Sequence, residues 1–118
     1  MSDDFWKTLE HLVAKNPWVI DRPQGSQHPR WPEIIYPLDY GYLEGTSSAD
    51  GSGIDIWIGS QESWELTGIA CTYDPRKKDA EIKLLVGCSA EDIQTILRFH
   101  TNGMKVIFIP NPHAGVDP

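Results

Sequence analysis

Apolar positions along this chain switch between two periods. Phe5, Leu9, Leu12 and Val13 recur at helical spacing up to Asn16-Pro17, which predicts a first helix capped by Ser2 or Asp3. Residues 18–21 predict a short strand, and the three prolines and one glycine within 22–32 predict a loop. Residues 34–43 predict an aromatic strand and 46–53 a turn-rich loop. Ile54, Ile56 and Ile58 alternate with Asp55 and Trp57, the period of a strand with two unlike faces. Further strands are predicted over 66–73 and 79–86, joined by a polar loop, and a last one over 104–109. Between these, Ser89 with Asp92 three residues on predicts a capped second helix; its Ile93, Ile96, Leu97 and His100 fall on or near one side, and Asn102-Gly103 ends it.

Short strands punctuated by Gly and Pro, with two helices, predict an α+β, mainly β fold: a small five-stranded β-barrel with two flanking α-helices. Closure of a barrel removes exposed strand edges. With 118 residues, no linker and no internal repeat, the chain is expected to form one domain over 1–118.

Composition narrows the partners. The net charge is −7 and no basic run occurs, so a nucleic-acid surface or an anionic membrane surface is not expected. An OB-type module for single strands needs a basic groove and is disfavoured on the same ground. Cys71 and Cys88 each lie in an apolar run, which predicts buried free thiols rather than a disulfide framework. The acidic N-terminus lacks the pattern of a signal peptide and no stretch is long enough to span a bilayer, so a cytoplasmic protein is expected.

The candidate chemistry lies between Tyr36 and Lys83. Asp50 and Asp55 are five residues apart, and Asp74 and Asp79 repeat that spacing. Carboxylates in two spaced pairs can converge on a hard cation, which takes oxygen ligands. In the strand over 79–86, Asp79, Glu81 and Lys83 project to one side while Ala80, Ile82 and Leu84 project to the other, so the charged side must meet water or a ligand. Each acid taken singly also fits a solvated turn, and Glu81 with Lys83 also fits a cross-strand ion pair.

Two segments together name a family. Tyr36-Pro37-Leu38-Asp39-Tyr40-Gly41-Tyr42 and Asp50-Gly51-Ser52-Gly53-Ile54-Asp55 resemble the Tyr-Pro-x-Asn-Tyr-Gly-Tyr and Asp-Gly-Asp-Pro-x-Asp motifs of family I soluble inorganic pyrophosphatases. The resemblance covers most of the chain, roughly residues 17–109. It implies an OB-like five-stranded barrel and Mg²⁺-dependent hydrolysis of pyrophosphate, with Mn²⁺ as a substitute ion. It implies that Asp50, Asp55, Asp74 and Asp79 are metal ligands, with Asp55 shared between two ions and Glu81 a possible extra ligand. Tyr40 matches the tyrosine that lies over the active site, Tyr36 a partner in the same motif, and Asp21 an early strand acid near it.

Phosphate contacts are expected from Arg30, Lys83, Tyr36, Tyr40 and His100. Arg22 is the less favoured alternative to Arg30, and Arg76, Lys77 and Lys78 form a basic loop that could hold substrate or simply be solvated. Tyr42 and Trp57 are expected in the core. The chain departs from the pattern at several places, among them the following. Ser52 replaces the aspartate that helps ionise the attacking water, the family's Asp-x-Lys is Asp-x-Glu-x-Lys here, and the hairpin before the Tyr-Pro motif has no counterpart. The expected partners are a small phosphorylated substrate and, to cover apolar surface, further copies of the same chain. A relative that binds a metal or phosphoryl ligand without turnover, or one that hydrolyses another phosphorylated molecule, is the alternative.

Overall fold

Alternation along β3 and β5 sends aliphatic side chains one way and polar or aromatic ones the other, and the rest of the fold covers these two unlike faces. The computed structural model describes residues 2–48 and 51–115, without the side chains of 2–4. Ser2 and Asp3, the two candidate caps, therefore lie outside the described side chains. The elements run α1 (Ser2–Lys15), β1 (Trp18–Arg22), β2 (Asp39–Leu43), β3 (Ile54–Ile58), β4 (Leu66–Asp74), β5 (Asp79–Val86), α2 (Ala90–His100) and β6 (Lys105–Pro110). The strands form one mixed sheet in the order β1-β2-β3-β5-β4-β6. All neighbours pair antiparallel except β3 and β5, which run parallel, with Ile56 opposite Leu84.

The protein is thus an α+β fold with a six-stranded sheet and two helices. The sheet is not closed: β1 and β6 lie at its two ends, where the sequence predicts a five-stranded barrel. β1, at the place of the strand predicted over 18–21, pairs with β2 and forms one edge. A Cβ at Gly41 would collide with the Val19 carbonyl, so glycine in the Tyr-Gly-Tyr motif is what lets β1 lie this close.

On one face, Trp6, Leu9 and Val13 of α1 pack on Leu43, Ile56, Ile69, Leu84 and Val86. On the other, Ile96 of α2 joins Tyr36, Leu38, Trp57, Ala70, Leu85 and Cys88. α2 begins as its sequence predicts: the Ser89 hydroxyl accepts from the Asp92 N–H, and the Asp92 carboxylate accepts from the Ser89 N–H, both at 3.0 Å. Burial alone would raise the Asp92 carboxyl, but hydrogen bonds from the Ser60 and Ser89 backbone and hydroxyl groups hold it below its ordinary value. No described helix is long and apolar enough to cross a membrane.

One boundary differs from the sequence pattern. The strand expected over 34–43 starts only at Asp39. Pro37 has no N–H to give to a ladder, and residues 34–36 fold back on 25–28 instead, with Gly25 and His28 donating to the carbonyls of Tyr36 and Ile34. This return places Tyr36 and Leu38 over the α2 face, where they are buried.

Candidate active site

β2, β3 and β5 lie side by side, and β2 and β3 contribute one side chain each and β5 two to a single polar junction. Tyr40 stands opposite Trp57 across the β2–β3 ladder, and Tyr42 opposite Asp55. One parallel step before the Ile56–Leu84 pair, Asp55 comes beside Lys83. The Lys83 Nζ donates to Asp55 Oδ2 at 2.8 Å, to Glu81 Oε1 at 2.5 Å and to the Tyr40 hydroxyl oxygen at 2.9 Å. The Tyr40 hydroxyl in turn donates to Asp55 Oδ2 at 2.7 Å. Lys83 is almost wholly buried, its side chain 4% exposed, while those of Asp55 and Glu81 keep 27% and 22% exposure.

Burial dominates the Tyr40 phenol and pushes it well above its usual value, so it is a neutral donor near pH 7. Burial alone would lower Lys83. Attraction to Tyr40 and Asp55, with hydrogen bonds to Asp55 and Glu81, outweighs it and keeps the ammonium protonated. Since the phenol is neutral, the two carboxylates are the partners that matter at ordinary pH.

The junction borders a cleft of about 440 Å³ lined by Asp21, Arg22, Tyr36, Tyr40, Gly41, Tyr42, Ser52, Gly53 and Asp55. Its contents combine two acids, a hydroxyl, three phenols and a guanidinium, a set of polar groups able to orient a small polar ligand. The cation at its rim is Arg22, which lies 3.5 Å from the Asp21 carboxylate and bonds Tyr36. Burial pushes the Tyr36 phenol up, and Arg22 partly opposes that. The register shift between Ile20 and Arg22 in the β1–β2 ladder is what brings both Asp21 and Arg22 to the cleft.

The other sequence-predicted residues fall as follows. Asp50 lies outside the described residues. Asp74 and Asp79 face each other at the turn end of the β4–β5 hairpin, on the same side of the sheet as Glu81 and Lys83. Asp79 is two residues before Glu81, so about 7 Å further along the strand. Asp74 is buried and its Oδ1 accepts from the Arg76 and Lys77 N–H groups, so it caps the turn; Arg76, Lys77 and Lys78 themselves are exposed. Ser52 lines the cleft. Arg30 does not line it; the Arg30 guanidinium sits 5.5 Å over the Trp31 ring in the loop.

His100 lies behind the cleft, where its Nε2 accepts from Trp57 Nε1 at 3.0 Å. Burial, helped by the Lys83 ammonium, pushes His100 down to about 3, so it is a neutral acceptor at ordinary pH. Trp57 is fully buried, as predicted, and Tyr42 is half-buried at the cleft wall. Arg22 is the cleft residue that sequence reasoning set below Arg30. Its signal was its position at the end of a strand, whereas Arg30 stands among prolines.

No family model matches the chain, and no curated protein matches it in sequence.

The donors bear on Mg²⁺, the ion that the motif resemblance implies. Two carboxylates of different strands converge on one cation, the Lys83 ammonium. Hard oxygen donors of this kind suit Mg²⁺. Among the described residues no three His, Cys, Asp or Glu side chains gather closely enough to hold an ion. Asp55 and Glu81, which share the Lys83 ammonium, are two such donors and not a set of three.

Proposed function

We propose that the chain is a Mg²⁺-dependent phosphoanhydride hydrolase with pyrophosphate as its substrate, built on an open six-stranded sheet. The observation that carries this reading is the junction of Tyr40, Asp55, Glu81 and Lys83 at the rim of a cleft that also holds Arg22, Tyr36 and Ser52. When bound, Mg²⁺ supplies neutralisation of the diphosphate and acidification of a water. The chain's own residues do the rest. Asp55 and Glu81 hold the cation side of the ligand, with Asp50, Asp74 and Asp79 as the further acids of the motif. Arg22 and the Tyr36 hydroxyl face its anionic side, Tyr40 holds Asp55 in place, and a guanidinium is suited to two phosphate oxygens at once. Ser52 stands where an acid would take a proton from water. A hydroxyl does not do this near neutral pH, so turnover is slow.

A second reading, binding of a phosphoryl ligand without turnover, is favoured by that same Ser52 and by the fact that Asp55 and Glu81 already carry a lysine as counter-charge. Phosphate release from pyrophosphate, nucleotides and sugar phosphates, with Mg²⁺ and then with Ca²⁺, separates the two. The hydrolase reading expects release from pyrophosphate that Ca²⁺ fails to support, since Ca²⁺ acidifies water less and accepts irregular coordination. Metal binding with no release from any substrate favours the second reading. We also propose that the protein is cytoplasmic and self-associates, since Ile107 and Ile109 on the edge strand β6 are 61% and 38% exposed.

A further inference from the structure

We infer that the Lys83 ammonium is the resident cation of the Asp55–Glu81 carboxylate pair, and that a divalent ion gains this pair only by displacing it. An ammonium has three N–H donors. Those of Lys83 meet Asp55, Glu81 and Tyr40, so none is left for a ligand. The lysine therefore does not grip a phosphate from this position without giving up one of its partners. The network is closed on itself, because Tyr40 also donates to the same Asp55 oxygen. Its members come from three strands, so the contact locks β2, β3 and β5 in register on their polar side.

The charge balance has a consequence. Two carboxylates brought together without a cation repel and are costly when partly buried. Lys83 removes that cost from within the chain, so the metal-free protein folds with its polar junction satisfied. A divalent ion at Asp55 would lie next to a buried ammonium, and like charges at such range repel strongly. Metal entry and lysine withdrawal are thus one event. The occupancy by Lys83 stands on these contacts alone; naming Mg²⁺ as the competitor rests on the functional reading above.

The test is thermal melting of wild type, Lys83→Met and Glu81→Gln/Lys83→Met, each in chelator and in millimolar Mg²⁺. Methionine keeps the length and apolar stem of lysine without its charge. In chelator, Lys83→Met is expected to melt about 10 °C or more below wild type, because two carboxylates lose their partner. The double variant recovers part of that loss, one carboxylate being gone. Mg²⁺ raises the melting point of Lys83→Met by several degrees more than that of wild type, and the double variant loses this gain. A Lys83→Met chain that folds only with Mg²⁺, or only with Glu81→Gln added, is the extreme form of the same result. The inference is overturned if Lys83→Met responds to Mg²⁺ no more than wild type does, or if the double variant melts no higher than the single one in chelator. A wild type that releases no phosphate sinks the enzymatic reading and leaves these melting results as they are.

Discussion

The two faces of the sheet are made by the same strands yet differ in kind. Toward α1, β3 and β5 present Ile54, Ile56 and Ile58 with Ile82, Leu84 and Val86, an aliphatic layer. Toward α2 the same strands present Asp55 and Trp57 with Glu81, Lys83 and Leu85, and Tyr36, Tyr40, Phe99 and His100 gather round them. The Tyr40 and Trp57 rings lie 4.6 Å apart and the Tyr36 and Tyr40 rings 5.5 Å apart, so the charged junction is walled by aromatic rings rather than by water on that side. The comparison teaches that the α1 face supplies stability, and that this stability lets the α2 face keep charges in a poorly hydrated place, where a polar contact is stronger and an unmade one costlier.

If the faces divide the work in this way, trimming the aliphatic side should affect folding and little else. Ile56→Ala, at a fully buried position, is expected to cost about 3–5 kcal/mol in denaturant titration while ligand binding to the remaining folded protein is unchanged. A loss under 1 kcal/mol would break the comparison, because the α1 face would then carry no more weight than a surface.

Acid should act on the opposite face. His100 is held near 3 in the folded protein against an ordinary 6.5, so the unfolded chain takes up the proton first. Its contribution is fully present above about pH 6.5 and is lost as pH falls toward 3, by at most about 1.4 kcal/mol per pH unit. His100→Gln, which keeps a polar partner for Trp57, should flatten this slope in stability measured from pH 7 to pH 4. An unchanged slope would mean that His100 is protonated in the fold.

These expectations also mark what the sequence could tell. The period of two in residues 54–58 and 79–86 was enough to find β3 and β5 and to sort their faces, since alternation follows from strand geometry itself. The Ser89–Asp92 spacing was enough to find the start of α2. The start of β2 was less legible, because Pro37 sits inside an otherwise strand-like run and the return of residues 34–36 onto 25–28 depends on long-range pairing. Barrel closure was expected from strand count and resemblance; no local pattern tells where the last strands pair, and here they form the two ends of an open sheet. In the site, the residue types of the junction were legible and their partners only in part. Lys83 was read either as a phosphate contact or as a member of an ion pair with Glu81; the structure shows the ion pair and adds Asp55 and Tyr40 as partners. His100 was also expected at the ligand, and its ring nitrogen accepts from Trp57 because a tryptophan N–H buried beneath it needs an acceptor.

The smallest of the three effects sharpens the polar face itself. Ser52→Asp places a carboxylate on the cleft wall, three residues before Asp55. If slow turnover reflects a missing base, phosphate release should rise about 10-fold, less than a full general base gives because Gly53 leaves the loop freer. No gain, in a wild type that already turns over fast, would mean that another group activates the water, and Glu81→Gln would then test the nearest one.

The central claim is that the polar face is a cation-dependent phosphoanhydride site organised on Asp55. Phosphate release from pyrophosphate by wild type and Asp55→Asn, measured side by side across a Mg²⁺ titration, tests it most directly. The account predicts Mg²⁺-dependent release by the wild type and a loss of about 100-fold or more in the variant, with its fold retained. Equal rates for the two proteins, or release by the wild type that ignores Mg²⁺, would contradict it.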